Sequence, residues 1–167
     1  IFQKTTNRGL NWELKFITPV ELGLMSFINL DTGWIVEYLF PNQARMLRTT
    51  NACQSFDILY TAPVDPGTSL KFFPSETGIE NKGYWLRSDR LYKTTNSGFN
   101  WNVLTIDSLL NGDVYYPYFL NKDTGFVTYQ YNIGSDYSIY RTLNGGLNWT
   151  KQFHLGAGSY SFVNSTT

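Results

Sequence analysis

The sequence is nearly without cysteine and histidine: Cys53 and His154 are the only ones among 167 residues. A lone cysteine rules out an internal disulfide, a two-cysteine redox pair and a cysteine-rich structural zinc site. A lone histidine cannot form a two-histidine metal centre, which leaves carboxylates alone to hold a hard cation. Long apolar runs are also missing, because Asn, Asp, Gly or Pro interrupts every candidate well short of the 18 to 20 residues or so that a spanning helix needs. No transmembrane segment is expected. Charge of one sign is missing too: 13 Lys plus Arg balance 13 Asp plus Glu, with no basic cluster. A nucleic-acid partner, which demands concentrated positive charge, is therefore not expected. The sequence begins at Ile1-Phe2 without an initiator Met or a signal-like stretch, so its targeting is not readable from this end.

Aromatic residues are plentiful, with 12 Tyr, 12 Phe and 5 Trp making up 17% of the chain. Asn, Thr and Gly lie between the aromatic stretches, as short strands joined by tight turns require. No segment keeps a 3.6-residue apolar stripe for three turns, so helices should be rare or absent.

A repeat organises the chain. Lys4-Thr5-Thr6-Asn7-Arg8-Gly9-Leu10-Asn11-Trp12 recurs as Lys93-Thr94-Thr95-Asn96-Ser97-Gly98-Phe99-Asn100-Trp101 and as Arg141-Thr142-Leu143-Asn144-Gly145-Gly146-Leu147-Asn148-Trp149. Arg48-Thr49-Thr50-Asn51-Ala52-Cys53-Gln54-Ser55-Phe56 is a weaker copy. The central asparagines Asn7, Asn51, Asn96 and Asn144 are spaced by 44, 45 and 48 residues. A second element keeps the same beat: Phe27-Ile28-Asn29-Leu30-Asp31-Thr32-Gly33, Phe72-Phe73-Pro74-Ser75-Glu76-Thr77-Gly78 and Phe119-Leu120-Asn121-Lys122-Asp123-Thr124-Gly125.

Four strands of four to seven residues per unit of about 45 residues is the arithmetic of a propeller blade. The expected fold is all-β, a β-propeller of four-stranded antiparallel blades. One segment covers residues 1–167, with three complete blades near 24–61, 69–105 and 115–154 and partial blades at 1–16 and 159–167. With such ends, the chain is expected to be a section of a larger propeller.

Each repeated turn reads as a hairpin lock. The amides of Asn7, Asn51, Asn96 and Asn144 can bond backbone across the turn, with Thr5, Thr49, Thr94 and Thr142 two residues earlier. Gly9, Gly98 and Gly146 tolerate positive φ, and Trp12, Trp101 and Trp149 follow at a fixed offset where a ring can cover the turn and pack inward. Phe56 stands in for the tryptophan in the second copy, where Cys53 replaces the glycine. A non-glycine residue at positive φ is costly, so this turn is expected to be opened or reshaped. Asp31, Asp123 and Glu76 are expected to make Asx-type turn bonds ahead of permissive Gly33, Gly125 and Gly78.

The Thr-x-Asn-x-Gly-x-Asn-Trp turn with its upstream Phe-x-Asn-x-Asp-Thr-Gly element resembles the Asp-box, or BNR, repeat of sialidase-like propellers. It is more similar still to the photosystem II assembly factor (Ycf48-like) class, a repeat that also occurs in secreted bacterial proteins. The resemblance covers essentially the whole chain, and it implies a structural box between the third and fourth strands of each blade. It also implies three alternatives for function: an interaction module, part of a glycoside hydrolase, or an assembly factor for a membrane complex.

The residues favour the first. The acids outside the turns single out no pair, and Arg48 and Arg141 merely precede two boxes, so the arginine triad of sialidases is not matched. No catalytic residue, metal site or cofactor is expected. His154 reads as a backbone-bonded side chain, and Cys53 as a small hydrophobe. Tyr116, Tyr118 and Tyr129 are the candidates for a partner-facing patch, since exposed Tyr rings stack on sugars or anchor protein interfaces. The expected role is a non-enzymatic protein- or glycan-binding module, extracellular or at a cell surface. Its partner would be a protein, a glycan, another copy of the chain or further blades of the same parent.

Overall fold

The computed structural model describes residues 2–16, 20–39, 41, 43–63, 67–77, 80–87, 89–106, 112–131 and 137–155. The partial blade expected at 159–167 lies outside them. All regular structure among the described residues is β: β1 Phe2–Lys4, β2 Glu13–Phe16, β3 Glu21–Phe27, β4 Gly33–Leu39, β5 Gln43–Thr49, β6 Asp57–Pro63, β7 Ser69–Phe73, β8 Lys82–Arg87, β9 Arg90–Thr94, β10 Asn102–Val103, β11 Asp113–Phe119, β12 Gly125–Gln130, β13 Tyr137–Thr142 and β14 Thr150–Leu155. The strands form a two-stranded ribbon, β1-β2, and three four-stranded antiparallel meanders, β3-β4-β5-β6, β7-β8-β9-β10 and β11-β12-β13-β14. This is the arrangement of a partial multi-blade propeller.

The chain divides into two compact units, Ile1–Pro66 and Gly67–Thr167. In the first, Phe2, Ile35 and Cys53 are buried together, with Leu22, Phe27 and Phe56 packed against them. In the second, β11 packs against β7, β8 and β9 of the preceding sheet. Tyr84, Leu86, Leu91, Val114, Phe119, Val127, Tyr129 and Tyr140 belong to the core between these sheets. Tyr84 stacks on Phe119 at a centroid separation of 3.6 Å, so an aromatic pair joins adjacent blades. The second strand of each meander is covered on both sides: Trp34, Ile35 and Val36 in β4, Tyr84, Trp85 and Leu86 in β8, and Phe126 and Val127 in β12 are all buried. That burial explains their nearly continuous apolar runs.

One cross-strand row recurs in all three meanders. Phe27 pairs with Gly33 and Gly33 with Thr49; Phe72 pairs with Gly83 and Gly83 with Thr94; Phe119 pairs with Gly125 and Gly125 with Thr142. The glycine is needed because the phenylalanine ring lies over it. A Cβ would stand 2.3 Å from a ring carbon of Phe27 at Gly33, 2.6 Å from Phe72 at Gly83 and 2.3 Å from Phe119 at Gly125. Two expectations are corrected here. The counterpart of Gly33 and Gly125 is Gly83 and not Gly78, which lies outside the described residues. The role of these glycines is close aromatic approach, and none of the three is at positive φ.

Gly125→Ala should therefore destabilise the chain by about 1–3 kcal/mol, the usual range for overpacking a filled site. In urea unfolding the double variant Gly125→Ala/Phe119→Leu should lose less than the sum of its single changes, because the second substitution removes the ring that the new methyl meets. Strict additivity would contradict this account.

Candidate functional site

The four Thr-x-Asn turns share one hydrogen-bond scheme. In the first, Thr5 Oγ1 accepts the amides of Asn7 and Gly9 at 3.3 and 2.9 Å and donates to Asn7 Oδ1 at 3.0 Å. Asn7 Oδ1 in turn accepts the Asn11 amide at 2.9 Å. Thr94 and Asn96 do the same for Gly98 and Asn100 at 3.0 and 2.9 Å, and Thr142 and Asn144 for Gly146 and Asn148 at 2.8 and 2.9 Å. The indole N–H groups of Trp12, Trp101 and Trp149 donate to the carbonyls of Gly9, Gly98 and Gly146 at 3.0 to 3.1 Å. Trp101 also meets Phe72 edge-on, and Trp149 meets Phe119 in the same way, whereas Trp12 is 59% exposed and does not pack inward.

The Cys53 turn is not reshaped. Thr49 Oγ1 accepts the Cys53 amide at 3.0 Å and Asn51 Oδ1 accepts the Ser55 amide at 3.0 Å, as in the other copies. Ala52 and Cys53 hold φ of 57° and 68°. The strain of about 1–2 kcal/mol per residue in this region is offset by the same side-chain bonds and by burial of the Cys53 thiol beside Phe2 and Ile35. That burial raises the thiol's pKa. Two successive residues are left-handed in every copy: Arg8 and Gly9, Ala52 and Cys53, Ser97 and Gly98, Gly145 and Gly146. The diglycine of the last copy was the only sequence trace of the first of each pair.

The two repeated elements meet. The amide of Ala52 donates to the Asp31 carbonyl at 2.9 Å, Ser97 to Asn81 at 2.9 Å and Gly145 to Asp123 at 2.7 Å. Each meander is thus clasped at one end, turn to turn. The first turn is held by Asn29 and Asn121, not by the acids: Asn29 Oδ1 accepts the amides of Asp31 and Thr32, and Asn121 Oδ1 those of Asp123 and Thr124. An amide oxygen two residues ahead of Asp closes the Asx turn, so Asp31 and Asp123 need supply only their backbone. In the middle meander Glu76 is likewise not the turn-binder; Ser75 Oγ accepts the Thr77 amide, and Asn81 Oδ1 the Ser75 amide.

Basic residues ahead of the box reach the next blade. Lys4 donates to the Leu30 carbonyl at 2.6 Å, Lys93 donates to the Gly145 carbonyl, and the Tyr84 hydroxyl donates to the Lys122 carbonyl at 2.8 Å. Burial, with Lys82 nearby, lowers the Lys93 pKa. Asp123 pairs with Lys122 at 2.6 Å and Lys82 at 3.3 Å, and the Lys122 bond holds its carboxyl below the usual range. These contacts are all structural.

The three tyrosines separate. Tyr129 is buried, its hydroxyl accepting the Gly112 amide at 2.7 Å and its ring edge-on to Tyr140, which corrects its assignment to a partner-facing patch. Tyr116 and Tyr118 are 64% and 40% exposed. They sit on β11 at a shift of register between Tyr115 and Tyr118, and Tyr116 is held at φ 46°. Left-handed backbone at a bulky residue is a costly conformation and marks a place to seek function. A cavity of 560 Å³ opens there, lined by Thr68, Ser69, Leu86, Asp89, Val114 and Tyr115 to Tyr118. A second of 260 Å³, sharing Ser69, Pro117 and Tyr118, continues it past Lys71. Asp89 and Thr68 carry no repeated signal and were not singled out in the sequence.

The first unit has a 710 Å³ cleft that includes Glu13, Glu37, Arg45 and Phe56. Its carboxylates are in ion pairs, Glu13 with Lys15 at 2.7 Å and buried Glu37 with Arg45 across β4 and β5. Among the described residues no group of three His, Cys, Asp or Glu could hold a metal. The ring of His154 lies outside the described side chains.

Thr142→Val should expose the dependence on the clasp. Stranding the Gly146 amide costs about 1–3 kcal/mol, while Thr142→Ser should keep most of that stability. Urea unfolding with hydrogen exchange at Gly146 measures both, and equal losses for the two variants would refute the scheme.

No family model matches the chain, and no curated protein does. Solved structures do resemble it. The structure described as YCF48 bound to D1 peptide shares 23% identity over 83% of this chain and 42% of that one, with a TM-score of 0.53. YCF48 from Cyanidioschyzon merolae shares 18% identity over 81% of this chain and 38% of its own, with a TM-score of 0.47. The Niastella koreensis GH74 enzyme shares 17% identity over 78% of this chain and 22% of its own, with a TM-score of 0.44. The chain thus spans less than half the length of these proteins, and what it has in common with the first of them is a propeller-like fold.

Proposed function

We propose that this chain is a non-enzymatic interaction module, its repeat of the Asp-box type, that receives an extended segment of a partner protein in the cleft beside Tyr116 and Tyr118. The observation that carries the reading is the strained, exposed bulge of β11 over the 560 Å³ cavity, on a fold whose other repeated residues are occupied in turns and packing. Exposed tyrosines supply large contact area with only two side-chain torsions to order, which suits an interface anchor. A neighbouring likeness supports a peptide as the occupant, since one structure of similar fold is described with a bound peptide. We place the protein outside the cytoplasm, at a surface or in a secreted setting, on the strength of its repeat.

Selection of a displayed library of random peptides against the intact chain should enrich binders that Tyr118→Ser and Tyr116→Asn weaken at least tenfold. Tyr131→Ser, at a tyrosine 47% exposed outside the cleft, should not weaken them. Asn accepts left-handed backbone, so Tyr116→Asn should also leave stability unchanged or raise it by up to about 1–2 kcal/mol. A library with no enrichment, or binders indifferent to both substitutions, would overturn the proposal. So would glycan hydrolysis by the chain that disappears in Glu37→Gln.

A further inference from the structure

The cleft has a charge as well as a shape. Among the described residues, Asp89 is the one charged residue lining the 560 Å³ cavity, and it shares that lining with Tyr115, Tyr116 and Tyr118. Burial raises the Tyr115 phenol pKa, and the carboxylates of Asp113 and Asp89 raise it further. Tyr115 is fixed by Tyr137, edge-on at 5.9 Å, and lies 6.3 Å from Tyr116. Among the described residues neither Asp89 nor Asp113 takes part in an ion pair. Of the arginines that flank Asp89 in sequence, Arg87 lies over the Trp85 ring at 5.6 Å, and Arg90 is exposed at the start of β9.

We propose that this cleft is a cation-binding subsite that takes an arginine side chain of the partner segment, its guanidinium against the tyrosine faces and its N–H groups toward Asp89. The assignment rests on the reading of the cleft as a peptide site and adds the chemistry of the anchor. A ring face is negative, so tyrosines and a carboxylate lining one cavity both attract a cation. Guanidinium suits such a place better than ammonium, because it is planar, stacks on rings and sheds water more readily. The flanking geometry is prepared for it. The Asp89 carbonyl accepts the Val114 amide at 3.0 Å, and this bond ties the β8–β9 turn to the strand that carries the tyrosines.

The test uses the whole chain and two blocked tripeptides, N-acetyl-Gly-Arg-Gly-amide and its citrulline counterpart, which has the same shape without the charge. Followed by NMR at the tyrosine rings, the arginine peptide should give a saturable titration with shifts at Tyr116 and Tyr118, and the citrulline peptide at least tenfold weaker binding. Asp89→Asn should weaken the arginine peptide at least tenfold and make added salt matter less. Asp89 has φ 60°, a conformation Asn adopts readily, and the Val114 bond uses the backbone, so this variant keeps the fold. Equal binding of the two peptides, no saturable binding by either, or an Asp89→Asn variant that binds as before would overturn the subsite. If library peptides still need Tyr116 and Tyr118 but carry no arginine, the peptide site stands and the cationic anchor falls.

Discussion

The fold depends on one hydrogen bond per blade, in which the first left-handed residue of the Thr-x-Asn turn gives its amide to a backbone carbonyl between the first two strands of the meander. It is made by Ala52 to Asp31, Ser97 to Asn81 and Gly145 to Asp123. An amide points that way only if two consecutive residues are left-handed, and the Thr hydroxyl and Asn amide oxygen hold them there. The Thr side chain is itself fixed by burial in the row that runs from phenylalanine through glycine to threonine. Backbone strain, side-chain capping and aromatic packing are thus one arrangement, repeated.

That coupling explains why much of the fold was legible and why the misreadings fell where they did. A structure built from identical turns writes the same residues at the same interval, so the strand count and the meander order followed from spacing. Cys53 departs from the sequence expectation because glycine is not the cause of the turn. The Thr and Asn bonds are the cause, and glycine only lowers the strain. Gly78 stands out in the sequence because it follows Thr, whereas the structural position, Gly83, is defined by the phenylalanine across the strand, a relation invisible until register is known. Asp31 and Asp123 attracted attention as acids, although the neighbouring Asn29 and Asn121 carry the turn and the acids contribute carbonyls.

The candidate site was legible only in part, and for a physical reason. Tyr116, Tyr118 and Tyr129 are alike in sequence, and strand alternation sorts them only when the register is regular. Residues two apart share a face of a regular strand, which would put Tyr116 and Tyr118 with buried Val114; the shift between Tyr115 and Tyr118 breaks that relation, so both are exposed, while Tyr129, on the regular β12, stays buried. Asp89 carries no periodic signal at all. It enters the site through the pairing of Ser69 with Leu86 and the short turn beyond, which bring that end of β8 beside β11.

The two ends of the second unit's sheets therefore have different tasks. At one end lie Phe72, Gly83 and Thr94, with Phe119, Gly125 and Thr142 in the next sheet, and every strong repeat residue is spent on the clasp. At the other end, where β7 begins and β8 turns into β9, the repeat is silent and the residues are individual: Thr68, Ser69, Asp89 and the tyrosines of β11. A strained residue such as Tyr116 persists only when its surroundings over-determine the backbone. The clasped end supplies that rigidity, from a distance of a few residues along the same strand. The same division leaves the exposed end free of the repeated turn's demands, which is why the proposed peptide site is sought there and not in the repeated turns.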